Sequence, residues 1–188
     1  MTIRLLLAFS LVCLSMAAQQ DPRFTKDGQL MRPDNYREWI FLSSGLGMTY
    51  GFVEHAATVV APRFDNVFVA PQAYKTFLET GTWPDKTIFA LEIRSSASKG
   101  SINKGGHYQE AAVGLEVEVK DESRFLDKWA FFDFSGSGVK AAKAIPTGAS
   151  CYSCHSANGA VDNTFVQFYP TLLPVAKAKG TLKPATEH

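Results

Sequence analysis

Cysteine is scarce in this chain. There are three in 188 residues, one near the N-terminus and two standing three apart near the C-terminus. That rules out a disulfide-stapled scaffold and leaves an apolar core to hold the fold. Charge of one sign is lacking as well: 19 Lys and Arg face 18 Asp and Glu, a formal net charge of +1. Such a balance gives no basic field for nucleic acid and no acidic tail. There is no internal repeat and no linker long enough to divide the chain, so it reads as one domain of ordinary composition, 46% hydrophobic and 20% charged. What is plentiful is aromatic: 14 Phe, six Tyr and three Trp. They fit either a Phe-rich core or a pocket for a large flat ligand.

The N-terminus reads as a leader. Thr2-Ile3-Arg4 is a short positive region, and Leu5 to Met16 is an apolar run of signal-peptide length, shorter than a membrane span. Small residues around Ser15-Met16-Ala17 place cleavage after Ala17 or Ala18, and a retained anchor is the alternative. Cys13 follows Val12 where a lipoprotein signal wants a small residue, so it is read as discarded leader. The exported protein then keeps Cys151 and Cys154 as its cysteines.

Residues 19–34 are polar with Pro and Gly and read as an arm. Tyr36, Trp39 and Phe41 enter the fold, and 48–64 reads as a loop wrapping the core. "NVFVAP" is a short strand stopped by Pro71, followed by a helix with Tyr74, Phe77 and Leu78 on one stripe and Gly81 as its stop. In 86–96, Ile88, Ala90 and Glu92 alternate with Phe89, Leu91 and Ile93. In 112–121, Val113, Leu115, Val117 and Val119 point in, and Glu116, Glu118 and Lys120 point out. A third strand covers 128–136, "GVKAAKAIP" reads as a short helix or turn, and the tail as a helix capped by Asp162 or Asn163 with Phe165, Phe168 and Leu172 on one stripe. The fold class is α+β, mainly antiparallel sheet with a few helices.

The two late cysteines stand in "CYSCH", Cys151 to His155. Cys-x-x-Cys-His is the attachment signature of c-type haem: each thiol adds across a vinyl group and the next residue puts an imidazole beneath the iron. By composition alone such a pattern arises in about one chain of this kind in a thousand. A thioredoxin-like pair would stand early, between a strand and a helix of a βαβ unit. A structural zinc site wants four ligands, which His55 and His107 do not readily complete. A plain Cys151–Cys154 disulfide leaves His155 unexplained. The reading is a covalently bound haem c with His155 on the metal. A sixth ligand is not evident, because no Met follows His155 and the one downstream His is the terminal His188. Met31, Met48, His55 and His107 lie upstream. Without one of them the iron is five-coordinate and open to a small ligand.

"NYREWIF", "APQAYKTFLETGTWPDKT", "AVGLEVEVKD", "WAFFDF", and "CYSCH" followed by "DNTFVQFYPTLLPVAKAKG" together resemble the cytochrome P-460 family, which includes cytochrome c′-beta. The resemblance runs from Asn35 to Gly180, and with the leader and arm read above the chain divides into a signal peptide (1–18), an arm (19–34) and a haem domain (35–188). It implies an antiparallel β fold carrying one haem c, often as a homodimer. In the family, cytochromes P-460 oxidise hydroxylamine and carry a lysine cross-linked to the haem, whereas c′-beta members lack the cross-link and bind nitric oxide on an apolar face. The cross-linking lysine aligns near Leu91, in a strand with no Lys. Lys86, Lys99 and Lys104 flank it.

The expectation is therefore an exported, periplasmic mono-haem c protein with a largely apolar distal face of Phe89, Leu91 and Ile93, taking nitric oxide or a similar ligand. The alternative is an oxidoreductase acting on hydroxylamine or nitric oxide with a redox partner protein, and a plain electron carrier is a third reading. A catalytic proton-transfer group is sought first in Asp133, then in Glu92 and Glu110. Arg94 and Arg124 are candidates to pair with haem propionates, and otherwise read as surface charge.

Overall fold

A computed structural model describes residues 21–49 and 61–184. The signal-peptide reading, His55 and most of the 48–64 loop lie outside them. Five strands form one antiparallel sheet in chain order: β2 (Ile40–Leu46), β3 (Phe64–Val69), β4 (Ile88–Ala97), β5 (Tyr108–Lys120) and β6 (Trp129–Asp133). A two-stranded pair joins β1 (Leu30–Met31) to β7 (Ala141–Ala142). Among the described residues there are three α-helices: α1 (Pro71–Thr80), α2 (Ser150–Asn158) and α3 (Leu173–Lys179). None is long and apolar enough to cross a membrane.

The sheet is covered on both faces, and that decides where the site lies. On the back, Ile88, Ala90, Leu115, Val117, Val119 and Phe132 pack under Leu30, Tyr36 and Trp39 of the N-terminal stretch. Leu30, in the arm, is fully buried. On the front, Val69, Phe89 and Trp129 meet Phe77 of α1, Trp83, Tyr169 and Leu172. The helix α1 starts on a proline and ends at Gly81, whose φ of +76° suits glycine. A Cβ there would also lie 2.7 Å from Cβ of Lys179 in α3.

Two-sided cover corrects the inward and outward assignment in β5. Lys120, expected outside, is 6% exposed, while Val113, expected inside, is 44% exposed because it lies beyond the covered part of the sheet. "GVKAAKAIP" is extended rather than helical: β7 pairs with β1, and the Ile145 N–H donates to the Phe131 carbonyl at 2.8 Å. The tail departs from the expected helix too. Asp162 and Asn163 adopt left-handed φ values of 51° and 64°, so neither caps a helix. Val166–Phe168 is a single 3-10 turn, and α3 begins only at Leu173, with Pro174 in its first turn.

Glu92 is buried on the back face, where it accepts hydrogen bonds from the Tyr36 hydroxyl, Arg37 and Arg94, the last at 3.1 Å. Burial alone would raise its pKa, but those donors outweigh burial and hold it below 4.5. Burial first, and then Glu92, push the Tyr36 hydroxyl up to about 12. A carboxylate with a depressed folded pKa stabilises the fold above its unfolded pKa and loses that contribution as pH falls through the folded value. Glu92→Gln is therefore expected to lower stability at pH 7 by about 2 kcal/mol and to flatten the loss of stability below pH 4.5. Urea unfolding midpoints measured from pH 7 to pH 3 check this, and parallel curves for the two proteins would refute it.

Candidate functional site

The strand register builds the front face in rows. Val67, Leu91, Glu116 and Asp133 face one another across β3 to β6, and Val69, Phe89, Glu118 and Phe131 form the next row. Side chains two apart on a strand share a face, so both rows look the same way. Over them lies a cavity of about 330 Å³. Its sheet wall is Ser43 and Gly45 of β2, Asp65 and Val67 of β3, Phe89 and Leu91 of β4, Glu116 and Glu118 of β5, and Phe131 of β6. Its opposite wall is Cys151, Cys154 and His155 of α2 with Phe165, Phe168 and Tyr169 of the tail. Met48 lines it as well.

Residues 151, 154 and 155 recur at three and four, so one helical face presents both thiols and the imidazole to the cavity. Neither thiol is bridged to the other. The His155 ring is wedged between Phe131 and Phe165, with centroids 4.5 Å away on both sides. Its Nδ1 lies 2.9 Å from the Asn163 carbonyl oxygen and 3.4 Å from Oε1 of Glu118. The shorter contact is the hydrogen bond, which fixes the proton on Nδ1 and leaves Nε2 for a metal. Glu118 Oε1 stands as a second, longer acceptor beside that N–H, and it is buried with no donor of its own among the described residues.

The loop that carries Asn163 is held by close packing. A Cβ on Gly159 would lie 2.7 Å from Cα of Asn163 and 2.7 Å from the His155 carbonyl oxygen, so glycine alone lets the loop fold back. Lys120 donates to the Trp83 carbonyl at 2.8 Å and pairs with Asp162, while the Trp83 indole N–H donates to Thr164 at 2.8 Å.

Four carboxylates stand on or beside this face. Burial raises the Asp65 carboxyl. It raises Glu116 too, with Asp133 and Asp65 adding to the effect, and burial likewise raises Glu118. For His155 burial pulls the pKa down, but Glu118 and the Asn163 carbonyl more than compensate, and the net shift is upward.

Of the residues picked from sequence, Cys151, Cys154, His155, Phe89 and Leu91 line one cavity. Asp133 shares the row with Glu116 but is exposed, its Oδ1 accepting from the Ser135 N–H at 2.7 Å. Arg94 is two residues from Glu92 and so points to the back, where its guanidinium engages Glu92 and the Glu110 carbonyl. Arg124 packs over Phe24, 4.1 Å from the ring centroid, and reaches Asp121. The sheet wall, expected as a largely apolar distal face, is less apolar: Ile93 does not line the cavity, and Asp65 and Glu116 lie on the wall. Sequence reasoning missed them, and Glu118, because alternation shows which residues share a face and not what covers it. Among the described residues, Met48 is the sequence-flagged sixth-ligand candidate that reaches the cavity; Met31 and His107 lie on the surface, away from it. Every lysine of the chain falls among the described residues, and none lines the cavity. Lys86 is bound to Asp121, and Lys99 and Lys104 are exposed in their loop.

Paired thiols and an imidazole with one committed nitrogen, facing a cavity walled by rings, are a donor set that suits a haem. No curated protein matches the chain. The Cytochrome P460 family model matches residues 33–166, which take in both rows of the sheet and the whole of α2: the chain belongs to the cytochrome P460 family, whose members bind haem.

Proposed function

We propose that this chain is an exported mono-haem c protein that binds nitric oxide or a similar small ligand, in the manner of cytochrome c′-beta. Cys151 and Cys154 would hold the haem through thioethers, and His155 would ligate its iron. When bound, the haem supplies an iron with an open coordination position. Phe89, Leu91 and Val67 keep that side poor in water and leave a diatomic ligand unhindered. The observation that carries this reading over a cross-linked oxidase is the cavity wall itself, which has no lysine to reach a haem edge.

One observation favours the second reading, oxidation of hydroxylamine: Asp65 and Glu116 line the cavity with their carboxyls raised by burial. Groups so placed take up protons that such an oxidation releases, while the electrons leave to a partner protein. The absorption spectrum of the ferrous protein and its denatured intact mass separate the readings. The expected result is an ordinary five-coordinate haem c spectrum that shifts with nitric oxide, and a mass equal to chain plus haem. A strongly red-shifted ferrous band with two further hydrogens lost would turn the assignment to the cross-linked oxidase. A six-coordinate low-spin spectrum abolished by Met48→Leu would leave an electron carrier.

A further inference from the structure

Glu118 is unlike the other cavity carboxylates. Its side chain is 13% exposed, and Oε1 has no hydrogen-bond donor of its own among the described residues. No Lys or Arg ion pair reaches it there. Lys120, two residues along the same strand, is engaged by Asp162 and the Trp83 carbonyl instead. What Oε1 faces is Nδ1 of His155, at 3.4 Å.

We propose that Glu118 is a positioning residue that acts through the His155 Nδ1–H to set how much electron density the imidazole gives to the haem iron. This rests on the axial role assigned to His155 above. A ligating histidine is oriented and made more basic by whatever accepts its second N–H. The Asn163 carbonyl at 2.9 Å fixes the tautomer. A carboxylate on the same hydrogen draws it further from the ring and gives the imidazole more imidazolate character. The pull is strong in a buried place, where the local dielectric is low.

The geometry is built from both sides. Glu118 sits in its row between Phe89 and Phe131, and Phe131 also packs on the His155 ring, so carboxylate and imidazole share a neighbour that fixes their spacing. Lys120 anchors Asp162, and the residue after Asp162 supplies the competing carbonyl. One strand, β5, therefore sets both acceptors of a single hydrogen. A shift of either changes the balance between a neutral and a charged acceptor.

The test uses the haem-loaded protein and its Glu118→Gln and Glu118→Asp variants. The iron–imidazole stretching frequency of the ferrous form is read by resonance Raman, and the reduction potential by redox titration. Gln is expected to lower the frequency and raise the potential, because a weaker acceptor makes a poorer donor of the imidazole. Asp, one methylene shorter, is expected to shift both the same way by less. Wild-type frequencies in both variants would overturn the proposal. So would a raised potential at unchanged frequency, which is the mark of a charge acting through space. If the Gln variant fails to load haem, the Asp variant decides alone by the same criterion. A wild-type protein without an iron–imidazole band would instead sink the axial role of His155, and this inference with it.

Discussion

Truncating Trp83 to alanine is expected to cost the fold about 3–5 kcal/mol, the range for removing a large buried aromatic. Trp83 is 2% exposed and joins three parts of the front layer. Its ring centroid lies 4.2 Å from Phe77 of α1 and 4.8 Å from Phe89 of β4, and its indole N–H donates to Thr164 at 2.8 Å. Alanine would leave a cavity between the Phe77 and Phe89 rings and free the turn that contains Asn163. Trp83→Phe keeps most of the apolar volume and loses the hydrogen bond, for about 1 kcal/mol plus whatever the smaller ring leaves unfilled. Thr164 would still donate to the Val161 carbonyl at 2.7 Å, so its hydroxyl is not orphaned. Urea unfolding with unchanged slope measures both. A loss below 1 kcal/mol for alanine would mean that Trp83 is no keystone of this layer.

The same residue shows where the sequence was legible and where it was not. The strand in 112–121 was plain from its period of two, and Leu115, Val117 and Val119 are buried as that period requires. Period, however, is silent about the far side. Glu116 and Glu118 read as solvent-facing, yet helix α2 and the tail close over them and turn that side into a cavity wall. The helix after Pro71 and its glycine stop were legible because proline and glycine constrain the backbone locally.

The tail was misread because its apolar residues recur at helical spacing while Asp162 and Asn163 sit at left-handed φ. Only the tertiary setting explains that conformation: Lys120 on Asp162, His155 on the Asn163 carbonyl, and no Cβ at residue 159. Trp83 and Thr164 are 81 positions apart, and no local pattern joins them. Arg94 was a different kind of miss. Its place on the Glu92 face followed from alternation alone, and that rule, applied one residue further, would have taken it away from the cavity.

Changing Cys151 and Cys154 together to alanine is expected to abolish covalent haem attachment altogether. Both thiols line the cavity, unbridged and only partly buried, on the helical face that also presents His155. Two thioethers from one turn, with an iron ligand one residue beyond, would tie the macrocycle to α2 at three points. Removing the sulfurs leaves the imidazole and the aromatic wall of Phe131, Phe165 and Phe168, which are features that hold a haem only while the protein is folded. The double variant should therefore show the mass of the bare chain under denaturing conditions and surrender any pigment to acidified organic solvent. Wild type should keep its haem through both treatments. Each single variant, Cys151→Ala or Cys154→Ala, should stay covalently coloured, with its ferrous band moved to longer wavelength because one vinyl group stays conjugated to the ring. Haem still bonded to the denatured double variant would mean attachment through some other side chain. No lysine in the cavity wall offers one, so that result would overturn both the thioether assignment and the ligand-binding reading drawn from that wall.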